Sequence, residues 1–342
     1  MAPHIPAARI IDPVSVPALR WGVIGTGIAG RFVGAMHAHT AQRAVAVTAR
    51  DAEKTRAFAA EHGIDRVHAS VADLVADEGV DVVYVATPHP LHRAQALQAI
   101  AAGKHVLIEK PIAMSAAEAD EILEAGREAG VLVAEAMWTR YLPQADVIRQ
   151  ILESGVLGDV SLVRADFGFA MPMDPAHRLW NPELGGGAML DAGVYPVSFA
   201  SSVLGAPDAV SAMGRTAETG VDASANVLLS TPSGAQAVLS TSLLASLPVE
   251  ASIHGTGGRL EVLSPFFGQS GLRLVSGALG QEEETTWRDE TFATPHDGLG
   301  YQATAFASYV GRGLLESPVH PHDEVVSVMA TIDEVRRQIA AA

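Results

Sequence analysis

Lys110, Asp191 and Tyr195 are the side chains whose types and settings suit proton-transfer chemistry. Lys110 sits in Glu109-Lys110-Pro111, directly after an apolar run that reads as a strand, and the proline stops that strand. A lysine there points into the ligand crevice of an α/β sheet. Partial desolvation lowers an ammonium pKa toward neutrality, which suits donation to a reacting oxygen, and Glu109 is placed to orient it. The alternative is an ordinary surface lysine in a βα loop. Asp191 and Tyr195 lie in Gly185-Gly186-Gly187-Ala188-Met189-Leu190-Asp191-Ala192-Gly193-Val194-Tyr195. They are four residues apart, so on a helix they share a face. A tyrosine hydroxyl and a lysine ammonium meeting one substrate oxygen make a proton relay. Asp191 also reads as an N-cap after a glycine loop, and Tyr195 as a core aromatic.

A second constellation suits a dinucleotide. Residues 21–24 form a short apolar strand entering Gly25-Thr26-Gly27-Ile28-Ala29-Gly30, and residues 31–39 can be helical. Gly25 permits the tight turn, Gly27 lets backbone N–H groups approach a pyrophosphate, and Gly30 allows close helix–strand packing. In a chain with 32 glycines such spacing is weak evidence alone, so the order strand, turn, helix carries the inference. Arg50 stands at the tip of the second strand, with Lys54 one helical turn on. An acidic residue at that tip selects a ribose hydroxyl; an arginine suits a 2′-phosphate, hence NADP over NAD. Pairing of Arg50 with Asp51 or Glu53 is the alternative. Thr87, Pro88, His89 and His92 follow the fourth strand at the same sheet edge, where either histidine could contact cofactor or substrate or serve structurally. Trp138 offers an apolar wall and Arg140 a polar contact.

These groups need a frame. Apolar runs at 21–24, 44–49, 66–69, 81–86, 105–108 and 131–134 alternate with helical segments at 52–62, 91–102 and from Ser115 to near Gly130. Ser115 and Glu118 make a capping-box pattern. Continuous apolar strands suit a parallel sheet buried on both faces, wound by helices, with its ligand at the carboxyl strand ends. After Trp138 the texture changes. A helix at 142–154, a strand at 160–169, a loop rich in Pro and Gly and a helix at 190–204 come first. Strands at 209–216, 223–231, 235–244, 250–255 and 259–263 suggest an antiparallel sheet. Helices at 299–314 and 323–340 close the chain.

Composition narrows the function classes. The chain has 342 residues, 48% of them hydrophobic, enough for two domains with sizeable cores. It has no cysteine, which excludes disulfides and thiolate metal sites, and no metal site is expected. A net charge of −16 argues against nucleic acid and anionic membranes as partners. Residues 1–17 carry four prolines without a basic and apolar leader pattern, so they read as a flexible arm that could lie on a partner subunit. No membrane span is expected, and the expected location is the cytoplasm.

Together, Gly25 through Gly30, Ala86-Thr87-Pro88, Glu109-Lys110-Pro111 and Gly185 through Tyr195 resemble the glucose–fructose oxidoreductase / inositol dehydrogenase (Gfo/Idh/MocA) family. Glu135 through Arg140 and Arg178-Leu179-Trp180-Asn181-Pro182 resemble its branch of trans-dihydrodiol dehydrogenases and NADP-dependent D-xylose 1-dehydrogenases. The resemblance implies an arm (1–19), an NADP-binding Rossmann domain (20–140) and an α+β domain with a large, mostly antiparallel open sheet (141–342), the last helix packing back on the first domain. That sheet would form a homodimer or homotetramer. The resemblance implies Lys110 as catalytic lysine, Tyr195 as general acid/base and Asp191 as the third polar member of the site. Arg50 and Lys54 would grip the 2′-phosphate, His92 would support the cofactor, and Arg178 and Trp180 would border nicotinamide or substrate. The implied reaction is hydride transfer between NADP and a sugar-like alcohol. A dihydrodiol, a keto-sugar of the 1,5-anhydrofructose type, or a non-catalytic NADPH-binding regulator are the alternatives.

Overall fold

Strands that are apolar on both faces need cover on both, and the first part of the chain supplies helices for it. The computed structural model describes residues 4–277, 280–291 and 294–341. In it β1 (Arg20–Ile24), β2 (Arg43–Thr48), β3 (Arg66–Val67), β4 (Val82–Val85), β5 (His105–Glu109) and β6 (Val133–Ala136) form one parallel sheet, ordered β3-β2-β1-β4-β5-β6. The helices α1 (Ala29–His39), α2 (Ala52–His62), α3 (Val71–Val75), α4 (His92–Ala101) and α5 (Ala116–Ala129) run between the strands. This is the expected doubly wound plan, and β1 and β4 diverge at its switch point. β6 lies two residues beyond its expected position, and the short α3 was not anticipated. Gly63 and Gly130 end α2 and α5 in the left-handed conformation that glycine accepts without strain. The capping at α5 differs from the expected box. Ser115 Oγ accepts the Glu118 N–H, but the Glu118 carboxylate takes the N–H of Met114.

The second sheet has β7 (Val160–Gly168), β8 (Ala209–Thr216), β9 (Asp222–Ser230), β10 (Gln236–Ser242), β11 (Ala251–Gly255), β12 (Gly258–Val262), β13 (Gly271–Ser276) and β14 (Glu283–Arg288). Their order is β14-β13-β12-β11-β7-β10-β9-β8, and only the β7–β10 pair is parallel. β13 and β14 exceed the expected set. β14 reads Glu-Glu-Thr-Thr-Trp-Arg, an edge strand too polar to stand out in the sequence. The strands alternate buried and exposed positions, as one covered face requires. Of α6 (Pro143–Glu153) and α7 (Val194–Leu204), α7 packs on β7 and β10. Met213, Leu228 and Val238 stay exposed on the other face.

The chain closes with α8 (Leu299–Gly311) and α9 (His322–Ala340). Its contacts divide it into two units: residues 10–141 with 294–325, and residues 4–9 with 142–291 and 326–341. In the first, Trp21 is fully buried against Phe32 and Phe306, ring centroids 5.5 and 5.2 Å away. In the second, Gln338 accepts the Ala212 N–H and donates to the Val210 carbonyl, occupying the open edge of β8. The arm is not free: the Arg9 guanidinium donates to Asp146 of α6 at 2.9 Å, and the Ala7 carbonyl accepts from Gln150. Residues 4–9 therefore pack on their own chain; residues 1–3 lie outside the described set.

Two glycines of the first turn separate stability from binding. Gly25 has φ +101°, and a Cβ there would lie 2.5 Å from the Ala86 carbonyl oxygen; at Gly27 it would meet nothing within 4 Å. Gly25→Ala should lose about 2 kcal/mol or more of unfolding free energy, and Gly27→Ala less than about 0.5 kcal/mol. Denaturant titration of the nucleotide-free variants measures both.

Candidate functional site

The carboxyl edge of the parallel sheet carries the first group of functional side chains. The Gly25 N–H donates to the Thr48 carbonyl at 2.9 Å, which ties the turn to the end of β2. No side chain caps the first turn of α1 and no acidic residue lies in it, so its amides and the positive end of its dipole face outward. Thr26, Gly27 and Ile28 are at the surface, whereas Ala29 is buried and offers only its backbone. The space beside Gly27 and the uncapped amides fit a pyrophosphate. Gly30 has a different job from the one expected: it faces Phe58 and His62 of α2, not a strand.

Arg50 is exposed just past β2, and it forms no hydrogen bond or ion pair among the described residues. Asp51, its expected alternative partner, is committed elsewhere. Its Oδ1 caps α2 by accepting the N–H groups of Glu53 and Lys54. Lys54 Nζ, itself exposed, lies 3.7 Å from Asp51 Oδ2, a weak surface pairing.

Two further turns flank this edge. Thr87 Oγ1 donates to Gln95 at 2.6 Å, and Pro88 precedes a short helical turn begun by His89. His89 is buried edge-on to His92, ring centroids 5.6 Å apart. His92 is wholly buried, so it has no face to offer a cofactor. Its ring nitrogens lie 2.8 Å from the Thr87 carbonyl and 3.0 Å from the Pro111 carbonyl, joining the two turns. Burial pushes its pKa down. Glu109 accepts hydrogen bonds from the Tyr84 hydroxyl and, at 3.2 Å, from the backbone N–H of Lys110. Burial raises the pKa of the Glu109 carboxyl. The glutamate thus holds the main chain of the lysine turn.

Behind Lys110 lies a buried network that the sequence reading did not assemble. Glu135, on the otherwise apolar β6, accepts the Ile112 N–H at 2.9 Å and contacts His320 Nε2 at 2.8 Å. Arg140 belongs to this network and not to a substrate. Its guanidinium meets both oxygens of Glu324 at 2.8 Å and the Val319 carbonyl at 2.8 Å. Trp138 is nearly buried and stacks on His296, at 6.5 Å. The visible signal was a charged residue inside Val-Ala-Glu-Ala; its histidine partner stands 185 residues away.

The second unit carries the other candidates. Met189–Gly193 winds as one π-helical turn before α7, so the expected helix at 190–204 is α-helical only from Val194. Such turns recur at functional sites. Asp191 pairs with Arg178 at 2.9 Å, and Arg178 remains more than half exposed. Tyr195 lies against Phe167 and Phe267, ring centroids 5.6 and 5.2 Å away, and both phenylalanines are partly exposed. The sequence reading missed these two rings. Trp180 departs from expectation: it is fully buried among Leu179, Ala188, Val221 and Leu243, and its indole N–H donates to the Pro172 carbonyl. It is a core residue of the second unit. Among the described residues no group of acids and histidines could hold a metal ion, and no helix is long and apolar enough to cross a membrane.

Comparison with known proteins adds a lineage. Residues 19–137 match the GFO/IDH/MocA model, described as an oxidoreductase family with an NAD-binding Rossmann fold, and residues 146–261 match a GFO/IDH/MocA C-terminal domain. Trans-1,2-dihydrobenzene-1,2-diol dehydrogenase of Macaca fascicularis is 36% identical over 330 residues, 94% of this chain and 97% of that protein. The Homo sapiens protein of that name is 34% identical over 327 residues, covering 94% and 97%. A 3-ketoreductase from Actinomadura kijaniata, solved in complex with NADP and TDP-benzene, superposes with TM-score 0.81 at 28% identity, covering 94% of this chain and 98% of that one. The aldose-aldose oxidoreductase from Caulobacter crescentus, at 24% identity and TM-score 0.82 over 94% and 97%, shares the fold.

The buried network makes stability depend on pH. Burial opposes charge on His320, but Glu135 and Glu324 outweigh it and raise its pKa above about 6.5, the ordinary value. That contribution is complete below about pH 6.5 and is lost as pH rises through the folded-state pKa. Burial also opposes charge on Glu324, yet His320 and Arg140 pull its carboxyl down to about 2, so its contribution disappears only in strong acid. The Tm advantage of the native protein over His320→Gln should therefore be largest in mildly acid buffer and shrink above neutrality. Thermal melts across pH measure it; a constant difference contradicts the assignment.

Proposed function

The chain belongs to the Gfo/Idh/MocA oxidoreductase family, and from that premise we propose that it transfers hydride between NADP and a sugar or sugar-like alcohol, or the matching ketone. The observation that carries the reading is the sheet edge where the uncapped α1 N-terminus, the open space at Gly27, the unpaired Arg50 and the Lys110 turn occur together. A bound nicotinamide supplies the hydride acceptor or donor. Tyr195 exchanges the proton of the substrate hydroxyl, and Lys110 stabilises alkoxide character at that oxygen. Asp191 and Arg178 hold each other as a polar border for the substrate. In this reading residues 20–140 serve the nucleotide and residues 141–342 the substrate. A second copy of the chain covers the open sheet face bearing Met213, Leu228 and Val238, giving a homodimer or homotetramer. The cysteine-free composition suits the reducing cytoplasm.

One observation favours a second substrate class. Phe167 and Phe267 beside Tyr195 offer aromatic surface for a ring substrate, as an aromatic trans-dihydrodiol would require. A screen of NADP⁺ with aldoses, inositols and dihydrodiols, and of NADPH with keto-sugars, separates the classes. Tight NADPH binding with no turnover anywhere in the panel would instead support a regulatory protein.

Lys110→Ala and Tyr195→Phe should each keep NADPH binding and lose about 10²–10⁴-fold in turnover; near-normal turnover in either variant sinks the catalytic assignment. Arg50→Asp should shift the NADP-to-NAD preference by about tenfold or more toward NAD, or ~1.4 kcal/mol. Steady-state kinetics with both cofactors measures it, and an unchanged ratio would move the phosphate contact off Arg50.

A further inference from the structure

We propose that Asp222 is a positioning residue: it grips the first amide of the π-turn and thereby sets the attitude of Asp191 and Tyr195. The proposal deepens the proposed function, because it takes Asp191 and Tyr195 as the working groups.

A helix start leaves backbone N–H groups without intrahelical partners. Here Ala188 stands at the cap position, and its methyl group cannot supply an acceptor. The acceptor comes from another element. Asp222, at the start of β9, places Oδ2 2.6 Å from the Met189 nitrogen, 33 residues earlier in the chain. Its carboxylate is buried, and Arg336 Nε lies 3.8 Å from Oδ1. Removing a carboxylate from water is costly unless hydrogen bonds repay the loss. The Met189 amide, the Arg336 charge and the Ala188 amide provide that compensation in part. Burial raises the Asp222 pKa to about 6, so the group remains mostly ionised at neutral pH.

The glycine loop is shaped to admit this carboxylate. Gly187 has φ +123°, and a Cβ on it would lie 2.4 Å from Asp222 Oδ1. A Cβ on Gly186 would lie 2.7–2.9 Å from the carbonyl oxygens of Leu179, Arg178 and Asn181. The same loop therefore passes the segment bearing Arg178, the ion-pair partner of Asp191, before entering the turn. Thr241 Oγ1, on β10, lies 2.9 Å from the Phe167 carbonyl and 3.4 Å from the Ala188 carbonyl.

The π-turn holds one residue more than an α-helical turn. Relaxation to α geometry would rotate the residues before it by about 100°, the angle of one residue. Asp191 would then leave its place relative to Tyr195. Fixing the first amide from the sheet opposes that relaxation.

Asp222→Ala removes the acceptor, and Asp222→Asn retains one oxygen in nearly the same shape. With NADP(H) and the best substrate of the panel, Asp222→Ala should lower kcat at least tenfold while KM for NADP(H) stays within twofold. Asp222→Asn should recover kcat to within about threefold of the native enzyme. Amide hydrogen exchange at residues 188–193 should accelerate at least tenfold in Asp222→Ala, with β10 amides unchanged. A kcat for Asp222→Ala within twofold of native overturns the positioning role. So does equal impairment of both variants with a raised KM for NADP(H), which marks general damage. Should the native protein turn over nothing in the panel, the proposed function fails by itself. Hydrogen exchange then decides the Asp222 contact alone: unchanged protection at residues 188–193 overturns it.

Discussion

A carboxylate buried on a parallel strand constrains everything around it, and Glu135 is that group in the nucleotide-binding unit. Its two oxygens are taken by the Ile112 N–H and by His320 Nε2. One contact secures the chain just beyond the Lys110 turn; the other secures the segment that returns before α9. Removing either partner would leave a buried acceptor without compensation, which costs more than an ordinary surface bond. The returning segment is therefore part of the unit's interior. His322 adds a contact to the Val133 carbonyl, and the Leu315 carbonyl accepts the Val133 N–H, so β6 is held by the chain's distant end.

The second unit uses the same principle with glycines as its complement. A side chain is absent at Gly187 where the Asp222 carboxylate approaches, and at Gly186 where backbone carbonyls crowd. The triple glycine is thus less a flexible linker than a space-saving device. It lets a charged group from the sheet reach the start of a helix that carries Asp191 and Tyr195.

The arginines show what a sequence reading can and cannot weigh. Arg50 and Arg140 both follow strands of the parallel sheet, and both looked suited to a ligand. Arg50 has no partner among the described residues because its acidic neighbour, Asp51, is engaged in capping α2. Arg140 is occupied because Glu324 arrives from far along the chain with both oxygens. Trp180 misleads for the same reason: burial is a property of the assembled unit, and residue type alone reports it poorly.

By itself the sequence determined the local grammar. Apolar runs alternating with capped helices required a parallel sheet, because each strand needs cover on both faces. The glycine turn, the Thr87 turn and the Lys110 turn then had to fall on one edge, because parallel strands all end at the same side. Tertiary structure alone decided which of the polar groups there remain available. It also decided that Met189–Gly193 winds as a π-turn, since its capping carboxylate comes from β9. The polar edge strand β14 became legible only through its pairing with β13. Backbone pattern is written in neighbouring residues, whereas the satisfaction of a buried charge depends on partners that only folding brings within about 3 Å.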